Sequence, residues 1–80
     1  SVAISKGACE RLRVTYGLSA SEAKLALRLA AGQDLPNAAK ALGITHASAQ
    51  TYCKRVFSKT GVGRQADLVR LVLTSVARFA

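Results

Sequence analysis

Apolar residues recur at helical spacing along most of the chain, and the gaps between the stripes carry helix-ending signals. Ala23, Leu25, Ala26, Leu29 and Ala30 form one such stripe. Ser19 and Glu22 stand before it at the S-x-x-E spacing of a capping box, in which each side chain satisfies an open backbone N–H. Leu18 is placed to staple onto Ala23, and Gly32 is a natural stop. A shorter helix follows, capped by Asp34, with Pro36 in its first turn where a missing N–H costs little. Its buried face is Ala38, Ala39 and Leu42, and Gly43 ends it. Thr45 is a good N-cap for the next helix, predicted to run to about Thr60 and to stop at Gly61. The last helix begins near Gln65, with Asp67 favourable in its first turn, and carries Leu68, Val69, Leu71, Val72, Leu73 and Val76. Ahead of all these, Ala8, Leu12 and Tyr16 predict a short helix from about Lys6 to Tyr16, ended by Gly17. Beta-branched residues are scattered and no hairpin turn is visible, which argues against strands.

Laid on a helix, the segment from Thr45 to Thr60 divides sharply. Ala49, Cys53, Val56, Phe57 and Thr60 fall on one inward stripe. Ala47, Gln50, Thr51, Lys54, Arg55 and Ser58 lie on the other side. Small side chains there permit close approach to a surface. Gln hydrogen-bonds adenine edges, Lys and Arg take guanine edges or phosphate, and Thr hydrogen-bonds or touches a thymine methyl. This is the chemistry of a helix in a DNA major groove. The turn Leu42-Gly43-Ile44-Thr45 joins a short helix to this one through a tight corner, which is helix-turn-helix spacing. Thr45, His46 and Ser48 would sit at a helix N-terminus that favours phosphate.

Charge sharpens that reading. Twelve Lys and Arg against four Asp and Glu give a formal net charge of +8. Lys40, Lys54, Arg55, Lys59 and Arg64, with His46, lie between Leu35 and Ala66, and all four acids lie outside that window. Such an excess suits a polyanion, although solubility alone is the bland alternative. The 80 residues suffice for one small domain, burying roughly 60% of the unfolded surface. The four aromatics, Tyr16, Tyr52, Phe57 and Phe79, leave a core of Leu, Val and Ala that suits packed helices. The fold expected is all-α: a compact four-helix helix-turn-helix domain over residues 18–80, with a helical lead-in over 1–17, together one domain.

With these residues in place, the chain resembles the LuxR/GerE/FixJ-type helix-turn-helix domain of bacterial transcription regulators. The matching residues are Leu18-Ser19, Glu22, Leu29-Ala30, Gly32, Ala39, Leu42-Gly43-Ile44-Thr45, Lys59, Gly61-Val62 and Leu68-Val69. They span Leu18 to about Val72, and their joint spacing carries the likeness. The resemblance implies a helix over about 46–60 that reads double-stranded DNA, with bases contacted by Gln50, Thr51 and Lys54. It implies backbone contacts around Thr45, Ser48, Arg55 and Lys59, to which the helix-start chemistry adds His46. It also implies a dimer contact on the last helix, which the surplus apolar residues Val69, Val72, Leu73 and Val76 would supply. The sequence departs from the family pattern in places. Gln50 replaces a usual Lys, Ser48-Ala49 a Thr-Val pair, Tyr52 a His and Asn37 a Glu, while Arg64 is shifted relative to the usual Arg. A Gln at 50 weakens phosphate attraction there and points toward adenine.

Other classes are weighed against this. A protein-interaction module on the same fold is kept open by the changes at 50 and 52. The promoter-binding end of a sigma factor shares the motif, but the Gly61-Val62 turn and the long last helix favour the regulator. A membrane-surface helix is the weakest rival, since the outward face lacks large apolar residues. No apolar run approaches the ~20 residues of a membrane span, and no signal peptide is visible, so the expected location is the cytoplasm. No nucleophile triad, phosphate-binding Gly loop or carboxylate pair suggests an enzyme. Neither cofactor nor metal is expected; Cys9 and Cys53 read as free thiols, Cys53 on the apolar stripe. Tyr52 borders that stripe and is expected to be partly buried. Glu22 is a candidate for pairing with a basic residue as well as for capping. The chain starts at Ser1 and lacks Met, which suggests a piece of a longer protein whose N-terminal regulatory domain lies elsewhere.

Overall fold

The computed structural model describes residues 6–77, and side chains from Gly7 to Ser75. Five helices follow one another: α1 (Lys6–Tyr16), α2 (Ala20–Ala30), α3 (Leu35–Leu42), α4 (His46–Thr60) and α5 (Gln65–Ala77). The described residues contain no strand. The all-α class and the helical lead-in are as the hydrophobic pattern predicts.

The helix ends are set by local chemistry. Ser19 caps α2 through the full capping box: its hydroxyl accepts from the Glu22 N–H, and the Glu22 carboxylate accepts from the Ser19 N–H at 2.9 Å. At the far end, the Gln33 N–H reaches the Arg28 carbonyl and the Gly32 N–H the Leu29 carbonyl, a Schellman closure through Gly32 at φ 97°. The Asp34 carboxylate caps α3 by accepting from the Asn37 N–H. The Thr45 hydroxyl caps α4 by accepting from the Ser48 N–H at 3.0 Å. Only residues 43–45 separate α3 from α4, so the two helices must turn sharply against one another, and they pack together.

α2 occupies the centre, meeting each of the other four helices. Its stripe is broader than its spacing predicts: Leu27 is buried along with Ala23, Leu25, Ala26 and Leu29, whereas Ala30 is half-buried. A helix with neighbours on several sides needs more than one apolar face. Leu12 from α1, Ala38 from α3, Val56 from α4, and Leu68 and Val72 from α5 complete the core around it. Each fully buried Leu or Val contributes roughly 1.5–3 kcal/mol of transfer free energy.

The α3–α4 corner depends on Gly43, which sits in the left-handed region at φ 69°, ψ 32°. There its N–H reaches the Lys40 carbonyl and the following Ile44 N–H reaches Ala39. A Cβ at this position would meet nothing within 4 Å, so any cost of adding one comes from the backbone conformation alone. Gly43→Ala is therefore expected to lower the unfolding free energy by roughly 1–2 kcal/mol with helix content unchanged, measured by urea denaturation followed by circular dichroism.

Candidate nucleic-acid interface

α4 owes its orientation to a narrow apolar stripe. Ala49 and Val56 are fully buried, and Tyr52, Cys53, Phe57 and Thr60 are half-buried beside them. All six positions predicted to face outward (Ala47, Gln50, Thr51, Lys54, Arg55 and Ser58) are exposed. From Ala47 to Ser58 that face runs about 17 Å at ~1.5 Å per residue. It holds an amide, two hydroxyls, two cations and a small apolar residue, with no acid.

Several of these groups have restricted chemistry. The Thr51 hydroxyl donates to the Ala47 carbonyl at 3.2 Å, so its proton is used within the helix and its methyl and lone pairs remain. At the start of α4, the Thr45 hydroxyl both accepts from the Ser48 N–H and donates to Ser48 Oγ, each at 3.0 Å. Thr45 is thus spent on the cap. Ser48 Oγ keeps its own proton, and the N–H groups of His46 and Ala47 point out of the helix end. The donors at this end are main-chain groups and Ser48, with the exposed His46 beside them.

Lys59 differs from a free surface cation. Its ammonium lies 2.7 Å from Glu22 Oε1 on α2. The Glu22 side chain is 3% exposed and that of Lys59 40%. Burial alone pushes the Glu22 carboxyl up. The hydrogen bond from Lys59, the Ser19 N–H and the charges of Lys59 and Arg55 outweigh it, and the group ends below its ordinary value of 4.5. The sequence marks Glu22 as a cap with a possible basic partner. Which cation fills that place is invisible locally, because Lys59 is 37 residues away.

The expected dimer stripe is partly overturned. Val72 is fully buried in the chain's own core and has no surface to offer a partner. The apolar run on α5 supplies two faces, and Val72 belongs with Leu68 on the inner one. Leu73 is 48% exposed and Val69 half-buried, so they remain available; the side chain of Val76 lies outside the described residues. α1 packs on a different flank of α5, where Tyr16 Oη lies 3.4 Å from Ser75 Oγ. At ~100° per residue, the Leu71–Ser75 flank and the Val69–Leu73 flank are roughly 160° apart. The lead-in helix therefore leaves the Val69–Leu73 flank uncovered. A groove of about 420 Å³ between α1 and α5 is lined by Thr15, Tyr16, Asp67, Arg70, Leu71, Thr74 and Ser75.

Among the described residues no group of three or more His, Cys, Asp or Glu is placed to hold a metal, and no helix is long and apolar enough to cross a membrane. Cys9 and Cys53 are free and half-buried. Burial pushes the Cys53 thiol up, away from the reactive thiolate. No family model, curated protein or solved structure matches the chain.

The depressed Glu22 carboxyl fixes the sign of a pH effect. Its contribution to stability is fully present above the ordinary carboxyl value of 4.5 and is lost as pH falls through the lower folded value. Urea denaturation from neutral to acidic pH should show the unaltered protein losing this increment on the acid side. The gap in stability between it and Glu22→Gln should be widest at neutral pH and narrow on acidification.

Proposed function

We propose that this chain is a sequence-specific double-stranded DNA-binding domain of the LuxR/GerE/FixJ helix-turn-helix type. It is the output end of a cytoplasmic bacterial transcription regulator, and α4 lies in the major groove. The observation that carries this reading is the outward face of α4, where every exposed position is small, hydrogen-bonding or cationic. A major groove about 12 Å wide admits such a helix. The short α3 and the three-residue corner support the reading by presenting α4 at the surface. The acid-free stretch from Leu35 to Ala66 supports it by supplying the electrostatic attraction.

In this reading Gln50, Thr51 and Lys54 face the bases. Gln50 is suited to an adenine edge, Lys54 to guanine, and Thr51 to a thymine methyl now that its proton is used within the helix. The phosphates are met by the open N–H groups of His46 and Ala47, by Ser48 and by the exposed Arg55. Selection of sites from a random DNA library at about 0.15 M salt, the physiological ionic strength, should enrich a motif. Gln50→Ala should relax preference at one position, costing about 1–3 kcal/mol of discrimination. Lys54→Ala should weaken binding as well. Enrichment that survives both substitutions would remove α4 as the reader.

A pair of chains joined through Val69 and Leu73 of α5 would present two α4 helices to half-sites roughly one helical turn apart. Leu73→Asp is expected to keep the fold, because the side chain is half exposed, and to abolish self-association in sedimentation equilibrium. Val72→Asp is expected to unfold the chain, since it buries a carboxylate without a partner. Unchanged assembly of a folded Leu73→Asp protein would exclude this face.

A further inference from the structure

We propose that Glu22 is a positioning residue for DNA phosphate, acting through Lys59: the buried carboxylate holds the lysine ammonium by one donor and leaves the others turned outward at the C-terminal half of α4. This rests on the DNA-binding reading and deepens it by assigning a role to a side chain on α2 that faces no groove.

The geometry carries the assignment. A lysine ammonium has three donors and no acceptor. One donor of Lys59 is taken by Glu22 Oε1 at 2.7 Å, while two-fifths of the side chain stays at the surface. The same Oε1 accepts the Ser19 N–H at 2.9 Å, so the carboxylate is itself fixed to the start of α2 and cannot follow the lysine outward. A free surface lysine loses its rotamer freedom when it grips a phosphate. Lys59 has already lost it on folding. Arg55 precedes it by one turn on α4, is exposed, and adds its charge to the same neighbourhood. Arg55 and Lys59 thus form a cationic ledge beside the reading face, of which Lys59 is the member held by Glu22.

The rival account is that Glu22 merely cancels a charge, and the two make opposite predictions for one variant. Glu22→Gln raises the net charge by one. If the carboxylate only neutralises, the variant binds DNA more tightly. If it positions Lys59, the variant binds more weakly despite the added charge. The probe is a labelled mixed-sequence duplex of about twenty base pairs. Binding by the full 80-residue chain is followed by fluorescence anisotropy across a salt series, at a temperature where melting curves show each variant folded. The expected result is a loss of roughly three- to tenfold for Glu22→Gln, the scale of one charge-assisted contact weakened. The double variant Glu22→Gln/Lys59→Met removes both charges and strands neither. Its log K against log salt should be shallower by about 0.9, one phosphate contact fewer.

Tighter or unchanged binding by Glu22→Gln, or an unchanged salt slope in the double variant, overturns the proposal. A carboxylate with a purely structural role would lower the melting temperature and leave affinity and slope alone. Should Glu22→Gln fail to fold, Glu22→Asp keeps the charge but shortens its reach, and is expected to weaken binding; wild-type affinity in that variant overturns the proposal. Lys54→Ala separates the two levels. If it weakens binding while the Glu22 variants do not, the DNA reading stands and this inference falls. If the unaltered chain does not bind the duplex at all, both fall.

Discussion

A carboxylate with 3% of its side chain exposed must be met by a cation and by hydrogen bonds, because desolvating an unpaired charge costs several kcal/mol. Glu22 meets that requirement with one group from its own helix end, the Ser19 N–H, and one from α4, the Lys59 ammonium. Those two partners tie the first residues of α2 to the last turn of α4. Ala49 and Val56 are the only fully buried side chains of α4, and Tyr52, Cys53 and Phe57 pack half-buried beside them against the core. A directional, charge-assisted bond at one end adds to that packing. The Thr45 cap closes the first turn of α4 at the other end.

The placement of α2 makes the arrangement possible. It touches all four other helices, so a side chain on its first turn can be buried by elements distant in sequence. The apolar residues of α2 hold the domain together, and its one acidic residue bonds the last turn of α4. Folding and surface chemistry are thereby assigned to different helices: α2 has six buried residues of its eleven, α4 two of its fifteen. A helix that contributes so little to the core can devote its remaining faces to another task.

Local signals are what the sequence made legible. Ser19, Asp34 and Thr45 act as the caps their side chains suggest, and Gly17, Gly32, Gly43 and Gly61 take positive φ at the stops. The two faces of α4 divide as its periodicity predicts. Properties set by contacts across the fold were less accessible. Leu27, four residues on from Ala23 and absent from the predicted stripe, is buried with the rest because α2 has neighbours on several sides. Val72 read as surplus on α5, since a run of apolar residues does not say how many faces the core will cover. The partner of Glu22 was hidden by its distance along the chain. Thr51 looks like an available hydroxyl in the sequence, yet it is occupied by a bond to the preceding turn.

The electrostatics of α4 add a last step. Lys54, Arg55 and Lys59 crowd one helix, and Arg55 and Lys59 stand at i, i+4, where like charges destabilise an isolated helix by a few tenths of a kcal/mol. No acid on α4 offsets them; among the described residues the carboxylate bonded to one of the three is Glu22, which takes Lys59. The folded chain thus retains Lys54 and Arg55 as a positive strip along α4 without a bonded carboxylate among the described residues. Acids at i, i+4 would offset that repulsion. Leaving the strip unbalanced is a cost that a bound polyanion removes, because each cation that meets a phosphate loses its like-charged repulsion and releases a counterion in the same event. On the proposed DNA-binding reading, the same residues that make α4 a poor contributor to the core are the ones that meet the phosphate backbone.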